Sequence, residues 1–153
     1  MIKMPERGVA QVWRRIKSIY RLQGNMCETC GTHYFPPRLV CPQCRRKGKI
    51  EPFTFKGLGT IYTFAVVHQA PEDFKRQMPY VIAQVDLDEG ARLTAQIVNV
   101  DREDVKIGMR VRVCFRKIKE LGQDGIIVYG YKFEPTMRVT GHEEKVSTTD
   151  SAL

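Results

Sequence analysis

The apolar positions of this chain change period once, and the change divides it. From Val9 to Leu22 they recur at Val9, Val12, Trp13, Ile16, Ile19 and Tyr20, the spacing of one helix face, with Arg14, Arg15, Lys17 and Arg21 elsewhere on the wheel. Gly24 is the expected stop. From Gly57 onward the period is two, and alternation predicts five strands at Thr60–His68, Tyr80–Leu87, Arg92–Val98, Arg110–Lys117 and Ile126–Phe133. Asp88-Glu89-Gly90 supplies the turn between the second and third strands, and Gly122-Gln123-Asp124-Gly125 the turn between the fourth and fifth.

Between these two regimes no periodicity holds, and cysteine takes over. Cys27-Glu-Thr-Cys30 and Cys41-Pro-Gln-Cys44 present four sulfurs in two tight turns, which is the donor set of a closed tetrahedral metal site. Gly31 is free to take the positive φ that lets a knuckle aim its amides at sulfur, and Pro42 stiffens the second turn. Only ten residues separate the pairs, so the loop holding Pro36-Pro37 must be compact. Two disulfides would need an oxidising compartment, and Met1 to Glu6 has no apolar secretory core. A redox Cys-x-x-Cys would explain one pair only. Iron takes the same four ligands, but Zn2+ is the preferred reading, with Cys27, Cys30, Cys41 and Cys44 as ligands. A closed four-thiolate site leaves no coordination position for water or substrate. The metal is therefore expected to hold a fold and do no chemistry.

The expected fold class is mainly β. An N-terminal amphipathic helix (1–25) precedes a rubredoxin-like zinc ribbon (26–50), a C-terminal five-stranded OB-fold barrel (51–135) and a disordered polar tail (136–153). Residues 50–56 read as a connector. Asp101–Gly108 predicts a short helix ended by glycine, between the third and fourth strands where an OB-fold carries one. With 153 residues and 42% hydrophobic content the chain can build a modest core, and no apolar run approaches the length of a membrane span. A soluble, cytoplasmic protein is expected.

Charge changes the picture less than its sum suggests. The net +8 lies at the N-terminal end, where residues 1–50 hold eleven Lys/Arg and two acids, while 51–135 hold twelve of each. Four thiolates around one divalent ion sum to −2, so part of the basic excess offsets the metal site. The second and third strands offer few stacking aromatics, with Tyr80 and Arg92 beside mostly aliphatic residues, which makes nucleic acid an unfavoured partner. Arg110, Arg112 and Arg116 share one face of the fourth strand with Cys114, either as an anion stripe beside a reactive thiol or as an ordinary solvated face. No Ser-His-Asp or Cys-His set stands out around His33, His68 or His142. The stripe on the N-terminal helix either packs on the body of the chain or lets Trp13, Ile16 and Tyr20 anchor a partner protein. The long loop from His68 to Pro79, with Phe74 at its centre, is expected to form a contact surface.

The order of motifs is specific: a Trp-containing helix, Cys27-x-x-Cys30-Gly31, Phe35-Pro36-Pro37-Arg38, Cys41-Pro42-x-Cys44, then Met78-Pro79-Tyr80-Val81 and Ile107-Gly108-Met109. Over residues 8–135 the chain resembles the acyl-CoA-associated zinc-ribbon plus OB-fold family, domain of unknown function 35. The resemblance implies a non-catalytic partner of thiolase-fold enzymes. In archaea a small protein of this kind bridges acetoacetyl-CoA thiolase and hydroxymethylglutaryl-CoA synthase in the mevalonate pathway. It also implies contact with acyl-CoA in some members, at residues the sequence does not identify. Phe35 and Arg38 join Trp13, Ile16, Tyr20 and Phe74 as the expected partner-binding residues. A nucleic-acid-binding module and an acyl-CoA-binding accessory subunit or thioesterase are the alternatives.

Overall fold

The computed structural model describes residues 9–120 and 127–136. Helix α1 (Val9–Arg21) leads into a three-stranded antiparallel sheet of β1 (Gln23–Cys27), β2 (His33–Tyr34) and β3 (Ile50–Thr54), in the order β2-β1-β3. Strands β4 (Leu58–Val67), β5 (Tyr80–Leu87), β6 (Arg92–Ile97), β7 (Arg110–Glu120) and β8 (Ile127–Pro135) close a barrel in the order β4-β5-β6-β8-β7. The architecture is the expected one of helix, ribbon and five-stranded barrel. The Gly122–Gly125 turn, the tail from residue 137 and His142 fall outside the described residues.

The helix ends without the expected glycine. Leu22 takes the left-handed conformation at φ 49, and Gly24 lies two residues on, inside β1. Leu22 is only 3% exposed, and burying a leucine, worth roughly 1.5–3 kcal/mol, outweighs a left-handed cost of about 1–2 kcal/mol. Gly24 serves a close approach instead: a Cβ there would stand 2.3 Å from the Tyr34 carbonyl oxygen and 2.7 Å from the Phe55 ring.

Residues 50–54, expected in a connector, form the third ribbon strand, paired from Cys27↔Ile50 to Gln23↔Thr54. Pro52 disguises it in the sequence, but an edge strand tolerates proline because its outer side needs no donor. Beyond β3 the chain passes Gly57, whose positive φ of 77 allows Val113 N–H to donate to its carbonyl at 2.7 Å. A Cβ there would collide with Val113 at 2.3 Å.

Strict alternation builds the barrel core. Val81, Ala83, Val85 and Leu87 of β5 and Leu93, Ala95 and Ile97 of β6 are buried, together with Ile61, Val111 and Phe133. Closure comes where β6 and β8 run parallel, Ile97 opposite Phe133, with Val98 N–H donating to the Phe133 carbonyl at 2.8 Å. The helix expected over 101–108 is reduced to a 3₁₀ turn at Arg102–Asp104. Of that stretch only Val105 is buried, too little apolar surface for a helix to dock, and Gly108 N–H is drawn into a bond with the Ile61 carbonyl at 2.8 Å.

An aromatic seam joins ribbon to barrel. His33 packs on Phe53 (centroids 4.5 Å), Phe53 on Phe55 (5.1 Å), and Phe35 on both Phe55 (6.1 Å) and Tyr131 (5.5 Å). The 68–79 loop folds back onto the barrel through a 3₁₀ turn at Glu72–Gln77, where Gln77 Nε2 donates to the Ile118 carbonyl at 2.9 Å. No helix among the described residues is long and apolar enough to cross a membrane.

Candidate metal centre and interaction surfaces

The two cysteine turns are built alike. Gly31 N–H donates to the Cys27 carbonyl at 2.7 Å and Arg45 N–H to that of Cys41 at 2.8 Å, and the residue after each second cysteine is left-handed, Gly31 at φ 70 and Arg45 at φ 53. Gly31 thus fills the role its position implied, while Arg45 adopts the same conformation with a side chain. Gly48 closes the cradle, since a Cβ there would lie 2.7 Å from Cys41 Cβ and 3.2 Å from Cys27 Sγ.

The four sulfurs of Cys27, Cys30, Cys41 and Cys44 all lie within 4.8 Å of one another, and Cys30 Sγ is 3.6 Å from Cys41 Sγ. A tetrahedral zinc with bonds of about 2.3 Å sets its sulfurs about 3.8 Å apart, so the cluster has the size such an ion needs. Around it the donors favour charge at sulfur. The Cys44 backbone N–H, 3.4 Å from Cys41 Sγ, together with the Tyr34 hydroxyl at 3.3 Å, lowers Cys41 to about 6. Donating to that sulfur pushes Tyr34 up to about 12. Thr32 lowers Cys30. Cys44 runs the other way: burial, and then its neighbouring sulfurs, push it up to about 12. A bare thiolate at Cys44 is thus resisted in this pocket, a resistance that a divalent cation reverses. Holding the ion would be the work of these four sulfurs, with Tyr34 and the knuckle amides orienting them.

The other expected site residues are dispersed. Trp13 is 74% exposed, whereas Ile16 is half-buried. Tyr20 is exposed but packs at 5.0 Å against Phe115, the rings tilted by 53°. The stripe on α1 is therefore divided between chain and solvent, for Ile19 packs against Gly130 and Leu22 enters the core. Arg38 lies over the Tyr34 ring at 5.5 Å. Phe35 and Phe74 do come together, in a groove of about 890 Å³ between helix, ribbon and barrel. Its walls include Ile82, Leu93 and Tyr131, its cations Arg14, Arg15 and Lys132. Lys132 is buried, its ammonium donates to Gln77 Oε1 at 3.1 Å, and desolvation lowers its pKa. Alternation in β8 gave no sign of this lysine's burial, because the covering turn comes from the distant 72–77 segment.

Most of the barrel's arginines are matched by acids. Arg110 is bidentate to Asp88 at 2.6 and 2.8 Å, Arg112 bonds Glu134 at 2.9 Å, and Arg92 bonds Asp86 while covering the Tyr62 ring at 3.5 Å. Two of the three arginines expected to form an anion stripe are thus paired. Cys114 beside them is no activated thiol, since burial and then Glu134 push it up.

With fold and site defined, the chain can be set against known proteins. Residues 17–50 match the ChsH2 rubredoxin-like zinc ribbon domain, and residues 54–116 match the ChsH2 C-terminal OB-fold domain. A DUF35 domain-containing scaffold protein of Methanocaldococcus jannaschii is 55% identical over 130 residues, covering 85% of this chain and 92% of that protein. A protein of the same description from Methanothermobacter thermautotrophicus is 47% identical over 125 residues, covering 82% and 94%. Among solved structures, a chain of the Ltp2-ChsH2(DUF35) aldolase aligns with a TM-score of 0.64 at 28% identity, covering 89% of this chain and 100% of that one. Ribbon, barrel and nearly full-length identity agree: the chain belongs to the DUF35 family of zinc-ribbon plus OB-fold proteins.

Proposed function

We propose that this protein is a non-catalytic scaffold that joins acetoacetyl-CoA thiolase to hydroxymethylglutaryl-CoA synthase. The observation that carries the proposal is nearly full-length identity to scaffold proteins of the same domain order. The geometry supports it, because four thiolates fill the coordination of a tetrahedral ion and leave the metal only a structural task. The pair of enzymes is the one that the family resemblance names. Joining them would pass acetoacetyl-CoA onward at high effective concentration, which favours an otherwise unfavourable condensation.

Acyl-CoA fits the groove in outline. Its roughly 890 Å³ lies within the size of small-molecule sites, and Arg14, Arg15 and Lys132 offer cations to phosphate beside the apolar walls. Calorimetric titration of the isolated chain with acetoacetyl-CoA tests this, and heat that disappears in Arg15→Ala is the expected result.

The scaffold role is tested by mixing the zinc-loaded chain with both purified enzymes and measuring particle mass by light scattering after size exclusion. A single particle containing all three proteins is expected. Three separate species, or turnover of acyl-CoA by the chain alone, would overturn the proposal.

A further inference from the structure

One exposed surface is left unexplained by ribbon, groove and core. Phe115 on β7 stacks on Tyr129 of β8 (centroids 5.7 Å, 16° between planes) and meets Tyr20 of α1 at 5.0 Å. All three are substantially exposed, at 50%, 39% and 39%, and Ile127 is 45% exposed further along β8. Trp13 lies seven residues before Tyr20, two helical turns along the same face, and is 74% exposed. Tyr20, Phe115 and Tyr129, exposed and joined by ring contacts, make a patch, with Trp13 further along the same helix face, and patches of Trp and Tyr mark places where another molecule binds. The helix charge beside them has one sign. The helix carries Arg14, Arg15, Lys17 and Arg21, all exposed, with no acid anywhere in its sequence.

We infer that α1 and the β7–β8 ribbon form one docking face for an acidic, apolar-centred surface of a partner protein, with Trp13, Tyr20 and Phe115 as its anchors and Lys17 and Arg21 as its charged rim. The inference rests on the scaffold function and assigns one of its contact surfaces. A second copy of the chain is a poor occupant, since two all-basic helices repel. Single-stranded nucleic acid fits less well than protein. Arg110, Arg112 and Arg92, three of the arginines that could extend a phosphate track across the barrel, are instead held by Asp88, Glu134 and Asp86.

The test measures binding of the zinc-loaded full-length chain to each purified enzyme, and to a dT oligonucleotide, by calorimetry at several salt concentrations. Trp13→Ala and Phe115→Ala are each expected to weaken binding to one enzyme about tenfold or more, and Lys17→Glu with Arg21→Glu to weaken it similarly while flattening its salt dependence. Ile107→Ser, exposed on the loop before β7, serves as control and should bind as the parent does. Native zinc content and unfolding midpoints in every variant separate lost docking from lost folding. If the parent binds an enzyme and the variants bind equally well, this face is wrong and the scaffold function stands. If the parent binds neither enzyme, both fall. Tighter binding to the oligonucleotide than to either enzyme, lost in the same variants, overturns the protein partner.

Discussion

Ribbon and barrel bury different things. Among the described residues, the large side chains that are fully shielded in the barrel are Phe133, Ile61, Val85 and Val111, whereas in the ribbon they are Cys27 and Cys41. A barrel closed around aliphatic and aromatic side chains draws its stability from apolar burial. A three-stranded sheet with a two-residue strand and two thiols at its centre has little apolar surface to bury, so its stability must come from what the thiols bind. The same chain thus solves its packing problem twice, once with hydrocarbon and once with metal, and the seam of Phe35, Phe53, Phe55 and Tyr131 joins the two solutions.

Substitutions can break each half separately. The largest effect is expected from Cys41→Ser, which removes a buried sulfur bonded by the Tyr34 hydroxyl and the Cys44 amide. Bound zinc should fall from one per chain to near zero with loss of ribbon structure, read by metal analysis and by amide signals of residues 27–48, while barrel signals persist. Phe133→Ala comes next, at about 3–5 kcal/mol of barrel stability, measured by urea unfolding. It should spare zinc binding, and loss of metal in this variant would mean that the two halves fold as one. Asp88→Asn is the smallest. Arg110 holds the Asp88 carboxylate below its ordinary value of 3.8, so the contribution of this pair is present above that pH and lost as pH falls through the folded value. The gap in unfolding midpoint between parent and Asp88→Asn should therefore be open at neutral pH and close below about pH 4.

What could be read from the sequence follows the same division. Barrel strands were legible because each alternates against a core it shares with its neighbours, and β5 runs from Tyr80 to Leu87 as its pattern predicts. The cysteine turns were legible because their chemistry is local, four residues at a time. Features set by distant partners were hidden. Gly24 reads as a helix stop but is dictated by Tyr34 and Phe55, β3 is masked by Pro52, and the 101–108 segment has helix-like punctuation without an apolar face to dock. Phe35 and Phe74 carry no mark of the groove they share, whose walls are drawn from residues between Arg14 and Lys132. The aromatic patch was half visible: Trp13 and Tyr20 stood out on the helix, but Phe115 and Tyr129 read as ordinary strand residues until folding brought Phe115 to Tyr20 and Tyr129 to Phe115.

Hydrogen exchange of the intact protein, with zinc bound and after chelation, tests the division most directly. The amides of Gly31, Arg45 and Gly48 bond within the cysteine turns, and those of Val98 and Val113 within the barrel. Chelation should strip protection from the first group and leave the second protected, with the boundary at the Phe53–Phe55 seam. Protection lost equally from both groups, or retained in both, would contradict a metal-built ribbon beside a self-sufficient barrel.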